Sequence, residues 1–252
     1  MRGVEGGPVV AASAVGPVLD GTVARRVLGY ELTRLLADRA VTHGEMAERL
    51  GVSRASFTQA VSGKTLLSRA SLEVALAHLG AVEVLPRLLH LLRMARRSSS
   101  RRAVGDRELV TGLEAFASRI ELYDVARFGG LVGDERWRVL AGEGAPELVW
   151  LVEEHLANRR QSTSVREQVR RVLGLANVTV QVVPVGLAPE LALSGGFEIV
   201  HGPAGVVVCE EARSTNHYHD SGAAVAEFRQ AFTALRMAAY PPEQSRVLLA
   251  DT

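Results

Sequence analysis

Arg54, Ala55 and Gln59 have the side chains and spacing of a set that reads DNA bases. Arginine forms a two-pronged hydrogen bond to guanine, glutamine pairs with adenine, and an alanine methyl meets the methyl of thymine. All three lie between Ser53 and Ser62. The pattern there predicts a short helix with Ala55 or Ser56, Phe57, Ala60 and Val61 inward and Arg54, Thr58 and Gln59 outward. Around them, Ser53, Ser56, Thr58, Ser62 and Lys64, the chain's only lysine, are suited to donate to phosphate oxygens and so set the register on a duplex.

No comparable case exists for covalent chemistry. Cys209, Glu210, Glu211, His217, His219 and Asp220 are close in sequence. Cys209, however, ends an apolar run, where a free cysteine behaves as a small buried hydrophobe, and the two histidines are expected in a polar loop. The G-K-T at Gly63 to Thr65 is no phosphate loop, because Thr58 stands where that motif needs glycine. Gly129, Gly130 and Gly133 read as turns. There is no G-x-S-x-G, no H-E-x-x-H and no paired C-x-x-C. The sequence therefore predicts a binding protein rather than an enzyme, with no catalytic residue, metal or cofactor.

The base-reading set needs elements to hold it. Thr42 and Glu45 have capping-box spacing, which starts a helix at His43 with Met46, Ala47 and Leu50 on one face. Gly51 stops it by taking the left-handed conformation, and Ser53 caps the next helix. Together these predict a helix-turn-helix from Thr42 to Gly63. Val23 to Arg39 forms a preceding helix striped by Leu28, Leu32, Leu35 and Leu36. Ser68 caps a following one with Leu72, Ala75, Leu76 and Leu79 inward. Val84 to Arg97 makes a fifth, with Leu85, Leu88, Leu89, Leu92 and Ala95 on one face and Leu91 beside it.

The chain has 252 residues, of which 47% are hydrophobic, so it can bury about two ordinary cores. The net charge of +1 conceals an asymmetry. Residues 1 to 107 carry 16 basic against 9 acidic side chains, and residues 108 to 252 carry 13 against 19. A basic front half draws phosphate by counterion release, whereas an acidic rear half is repelled by it. A single cysteine and no apolar run near the roughly 18 residues of a membrane span predict a reducing, cytoplasmic setting without membrane contact.

The predicted organisation is a disordered tail at 1–22, an all-α five-helix DNA-binding domain at 23–97, a Ser- and Arg-rich hinge at 98–107, and an α/β domain at 108–252. In the last, Leu109 to Leu122 is expected as a helix and Leu148 to Val152 as a strand. Ser164 with Glu167 opens another helix, and Val178 to Val183 is a strand pairing parallel to the first. Phe197 to Val200 with Val206 to Cys209 reads as a hairpin. Helices at Ser221 to Ala239 and after Pro242 close the chain, leaving a small mixed sheet of about four strands. Trp137, Trp150 and the aromatic residues of the penultimate helix are expected in the core.

From Leu32 to Gly63 the chain resembles the xenobiotic-response-element (XRE) class of helix-turn-helix regulators, which includes lambda-type repressors and Cro. The resemblance implies a lambda-repressor-like domain that places the 53–62 helix in the major groove. His43 stands where that class usually has a glutamine touching phosphate, so it joins the expected phosphate contacts. The rear part is similar to a C-terminal domain of unknown function found in antitoxin-like regulators of filamentous actinobacteria. The matching stretches are G-L-E-A-F-A-S-R-I-E-L-Y (Gly112 to Tyr123), V-R-E-Q-V-R-R-V (Val165 to Val172), N-V-T-V-Q-V-V-P (Asn177 to Pro184) and G-G-F-E-I-V (Gly195 to Val200). G-G-L-V-G-D (Gly129 to Asp134) replaces that family's P-G-L-L-Q-T.

The expected partner is double-stranded DNA, bound as a homodimer because one recognition helix reads too few base pairs alone. Leu91 and the rear part are the expected dimer surfaces. The alternative is an antitoxin-like protein whose rear domain binds a small cognate protein encoded nearby.

Overall fold

A computed structural model describes residues 20–96, 107–125, 139–142, 144–159, 161–186, 195–202, 205–211, 216–220 and 222–250. Helices make up the front part, and a mixed six-stranded sheet with flanking helices makes up the rear. Residues 1–19 of the tail expected at 1–22, nearly all of the expected hinge, the turn glycines at 129–133 and Trp137 lie outside the described residues.

The front helices are α1 (Asp20–Asp38), α2 (His43–Arg49), α3 (Arg54–Val61), α4 (Arg69–His78) and α5 (Leu85–Arg96), with a turn of 3-10 helix at Val82–Val84. Helix α1 starts at Asp20, inside the stretch expected to be a tail. Four of these helices end in the same way. After each, the amide two positions past the cap reaches back to the carbonyl three residues before the cap: Val41 to Leu36, Val52 to Ala47, Lys64 to Gln59 and Ala81 to Leu76. The motif needs a left-handed residue, and Gly51, Gly63 and Gly80 supply it at φ of 66°, 75° and 61°. At the end of α1 the position is Ala40, with φ of 53°. An alanine there crowds its own backbone, so Ala40→Gly is expected to stabilise the chain by about 1 kcal/mol. A urea melt with an unmoved or lowered midpoint would contradict this.

Helix α5 is rotated from its expected setting. Leu88, Leu91, Leu92, Met94 and Ala95 are buried, while Leu85 and Leu89 are only partly so. Leu91, expected at a dimer surface, is 1% exposed and belongs to the protomer's own core. Beside it, Glu31 of α1 is 4% exposed and bridges Arg87 of α5 at 2.7 Å and Arg34 at 2.9 Å. The pair of arginines satisfies a carboxylate that burial alone would penalise.

The rear part begins with α6 (Arg107–Glu114), followed by β1 (Arg119–Asp124), β2 (Glu147–Glu153), α7 (Glu154–Ala157), α8 (Thr163–Leu173), β3 (Val178–Val183), β4 (Phe197–Gly202), β5 (Gly205–Glu211), β6 (Asn216–His219), α9 (Gly222–Ala238) and α10 (Pro242–Ala250). Strand order is β3-β2-β1-β4-β5-β6. The pairs β3·β2 and β2·β1 are parallel and the rest antiparallel.

The sheet has six strands rather than about four, because β1 and β6 join it, and three further expectations are corrected. The expected helix from Leu109 to Leu122 stops at Glu114, and Ile120 and Leu122 instead alternate inward along β1, in the middle of the sheet. Strand pairing on both sides outweighs the helical spacing of Leu113, Phe116, Ala117 and Ile120. Helix α8 is capped by Ser162, whose hydroxyl accepts from Val165, not by Ser164. His217 and His219 lie on strand β6 rather than in a loop.

Side chains alternate cleanly across the sheet. Tyr123, Val149, Leu151, Val183, Phe197, Ile199 and Val208 face α9 through Val225, Phe232 and Leu235. The opposite face, with Ile120, Leu122, Leu148, Trp150, Val180 and Cys209, shares one continuous core with α8, α10 and the front helices. Strand β3 forms one edge of the sheet, and at Val182 its outward groups are already taken. Tyr240 donates its amide to the Val182 carbonyl at 2.9 Å, and the Val182 amide donates to Ser245 Oγ at 2.9 Å.

On β1, Glu121 accepts from Arg119 at 2.9 Å and lies 3.2 Å from His201 Nε2 of β4. Burial pushes the Glu121 carboxyl up, but the hydrogen bonds from His201 and Arg119 and their charges outweigh it and hold it below the ordinary 4.5. A carboxyl depressed in the folded state contributes stability above its unfolded pKa, and that stability is lost as pH falls through the folded value. Wild type is therefore expected to lose stability more steeply than Glu121→Gln between about pH 5 and pH 3. Parallel acid limbs in denaturant titrations would show that this network does not contribute.

Candidate nucleic-acid interface

The candidate interface is α2, the turn after it, and α3. Thr42 Oγ1 accepts from the Glu45 amide at 3.2 Å, and the Thr42 amide donates to Glu45 Oε2 at 2.7 Å, which completes the box. These bonds, the backbone one first, hold the exposed Glu45 carboxyl below its ordinary value. Gly51 and Val52 then turn the chain, and Ser53 Oγ accepts from the Ser56 amide at 3.0 Å. The two helices are thus each started and stopped by their own residues, with three residues between the cap of one and the first turn of the next.

Phe57, Ala60 and Val61 are buried. Arg54, Ala55, Thr58, Gln59 and Ser62 are exposed and fall one, four, five and eight positions apart, which is a single outward face. Ala55 and Ser56, considered for the inward face, both point to solvent. The side chains of Arg54 and Gln59, and that of Lys64 just past the helix, have no hydrogen-bond or ion-pair partner among the described residues. The serines are more occupied. Ser53 and Ser56 share a hydrogen bond at 2.8 Å, and Ser62 Oγ donates to the Gln59 carbonyl at 3.1 Å. His43 is half-buried, with its ring edge-on to Phe57 at 5.6 Å and Nδ1 3.5 Å from Thr58 Oγ1. It therefore ties the start of α2 to α3.

The set of residues that fixes α3 on the rest of the molecule was not apparent in the sequence. Gly29 of α1 lies under Val61, where an added Cβ would sit 2.2 Å from the Val61 carbonyl oxygen. Gly63 lies against Arg26, and a Cβ there would be 3.1 Å from the Arg26 Cα. The Arg26 guanidinium continues to Asp220, at the end of β6, at 3.3 Å. On the neighbouring stripe of α1, Val27 packs at Gly112 of α6, and the Tyr30 ring lies 5.2 Å from that of Phe116. A signal did exist: Gly29 sits mid-helix, where glycine is disfavoured unless another backbone comes close.

A second cationic feature is a groove of about 420 Å³ between α4 and α5, lined by Arg69, Pro86, Leu89, Leu92, Arg93 and Arg96. Arg69 is paired with Glu73 at 2.7 Å.

The residues once considered for metal or covalent chemistry are divided by the sheet. Cys209 and Tyr218 pair on the face toward the shared core, while Glu210 and His219 point the other way, 3.3 Å apart, with the His219 ring tilted against that of Phe228 of α9. Among the described residues no helix is long and apolar enough to cross a membrane.

Residues 131–251 match the model of a family described as a domain of unknown function (DUF5753). The match begins beyond β1, although β1 is a central strand of the same sheet. No curated protein matches the chain. Among solved structures the chain is similar to TrmBL2, an archaeal chromatin protein whose structure is described as showing a novel mode of DNA binding. The identity is 12% and the TM-score 0.37, over 74% of this chain and 69% of that one. At that TM-score nothing further rests on the likeness.

Proposed function

We propose that this chain is a sequence-specific DNA-binding transcriptional regulator of the XRE helix-turn-helix type, and that α3 enters the major groove. The observation that carries this is the outward face of α3, where Arg54, Ala55, Thr58 and Gln59 are exposed and the two longest side chains are uncommitted. An α-helix with its side chains is about 10–12 Å in diameter, which suits a groove about 12 Å wide. Arg54, Ala55 and Gln59 read base edges. Lys64 holds a phosphate, with His43, Ser53, Ser56, Thr58 and Ser62 around it, and the serines do so while also serving as caps. Nothing on this face requires catalysis or a cofactor, and the proposal is a binding function. The acidic balance of residues 108–252 supports a separate role for the rear part, away from DNA, in joining two copies or receiving a small cognate protein.

Selection from a random duplex library with the full chain tests this. The expected result is a two-fold symmetric motif with half-sites about 34 Å apart. Recovery of no motif near 0.1 M salt, or of one lacking any half-site repeat, would overturn the recognition or the dimer respectively.

A further inference from the structure

Arg26 touches both functional parts of the molecule, lying against the closing turn of α3 on one side and the sheet on the other. The backbone and Cγ of Arg26 fill the space beside Gly63, the left-handed residue that closes α3. Its guanidinium reaches the carboxylate of Asp220, in the junction between β6 and α9. The two side chains are only 21% and 14% exposed, so this pair is screened less than an ordinary surface bridge. Three residues further along α1, Gly29 lets the Val61 backbone approach to a distance that no side chain would permit. The end of α3 therefore rests on one short segment of α1, and that segment is gripped by the sheet.

From this we infer that Arg26 and Asp220 are positioning residues, a strut by which the β6–α9 junction sets the orientation of α3. The inference rests on the DNA-binding reading for its functional meaning, and on geometry alone for its mechanical part. Asp220 directly follows His219, which is hydrogen-bonded to Glu210 and packed against Phe228, so the backbone that carries the carboxylate is anchored to the sheet and α9. A change in the packing of α9 on β6 thus moves the anchor of Arg26, and with it the closing turn of α3. Neither residue lies on the outward face of α3.

The test uses the full chain carrying Asp220→Asn, Arg26→Gln, or the exchanged pair Arg26→Asp with Asp220→Arg. Hydrogen exchange is followed at the amides of Phe57 to Val61 and at those of β1 and β2. Affinity for the selected duplex is measured against salt. Both single variants are expected to speed exchange in α3 while leaving β1 and β2 unchanged. Affinity should fall about two- to thirtyfold with the salt slope unaltered, since no phosphate contact is lost. The exchanged pair should recover part of both effects. Unchanged exchange in α3 in both single variants overturns the strut whatever the DNA result. If wild type binds its duplex and the variants bind it equally tightly, the claim that the strut positions α3 for DNA is overturned. Faster exchange in a chain whose wild type selects no duplex supports the strut and overturns only the DNA-binding reading.

Discussion

Gly29→Ala is expected to destabilise the chain by about 2–3 kcal/mol and to weaken DNA binding with it. Two effects of opposite sign compete at this position. Alanine improves intrinsic helix propensity by about 1 kcal/mol, which alone would stabilise α1. Against that, the new methyl would stand 2.2 Å from the Val61 carbonyl oxygen and 2.8 Å from its carbon. These are backbone atoms of a packed helix, with no rotamer to retreat into, so α1 and α3 must separate. Overlap of that size dominates the propensity gain. Gly44 in α2 is the internal control, because a Cβ there meets nothing closer than Thr42 Oγ1 at 3.8 Å. Gly44→Ala should therefore be neutral or stabilising by up to about 1 kcal/mol. The denaturant midpoint of Gly29→Ala should fall while that of Gly44→Ala holds or rises, and a Gly29→Ala chain as stable as wild type would mean that α1 and α3 do not pack this closely.

The second large effect is expected on DNA. Each well-made bidentate contact to a base contributes about 1–3 kcal/mol of discrimination, so Arg54→Ala with Gln59→Ala should lower specific affinity by about two to three orders of magnitude. Non-specific binding should change little by comparison. Both side chains are exposed and uncommitted, so their removal leaves α3 folded, and a melting curve like that of wild type separates lost recognition from lost structure. Lys64→Ala provides the contrast: it should weaken all sequences alike and reduce the salt slope by about one. If the double variant keeps wild-type affinity and sequence preference, α3 is not the reading element.

The parts of this molecule that were legible in the sequence are those whose signals are local. Thr42 with Glu45, Ser53, Ser68 and the glycines at 51, 63 and 80 announce helix ends because a cap is formed by residues three or four apart. The run Val178 to Val183 announces a strand because β-branched residues alternate without interruption. Apart from the cap of α8, misplaced by two residues, and the start of α1, the main errors are long-range. Ile120 and Leu122 have a spacing that suits a helix, and only the neighbours β2 and β4, 28 and about 80 residues away, decide for a strand. Strand β6 reads N-H-Y-H, too short and polar to stand out until β5 pairs with it. The outward residues of the candidate site were legible, since α3 is capped at both ends by its own sequence. Its supports, Arg26, Gly29 and Asp220, were not, because each gains its role only from a residue more than thirty positions distant.

The way Tyr240 and Ser245 fill the outer rim of β3 limits how copies of this chain can assemble. Where an edge strand has both its outward amide and its outward carbonyl engaged, as at Val182, it offers no template for another chain to zip onto. Extending the sheet strand to strand through the middle of β3 is therefore blocked, which leaves β6 as its other edge.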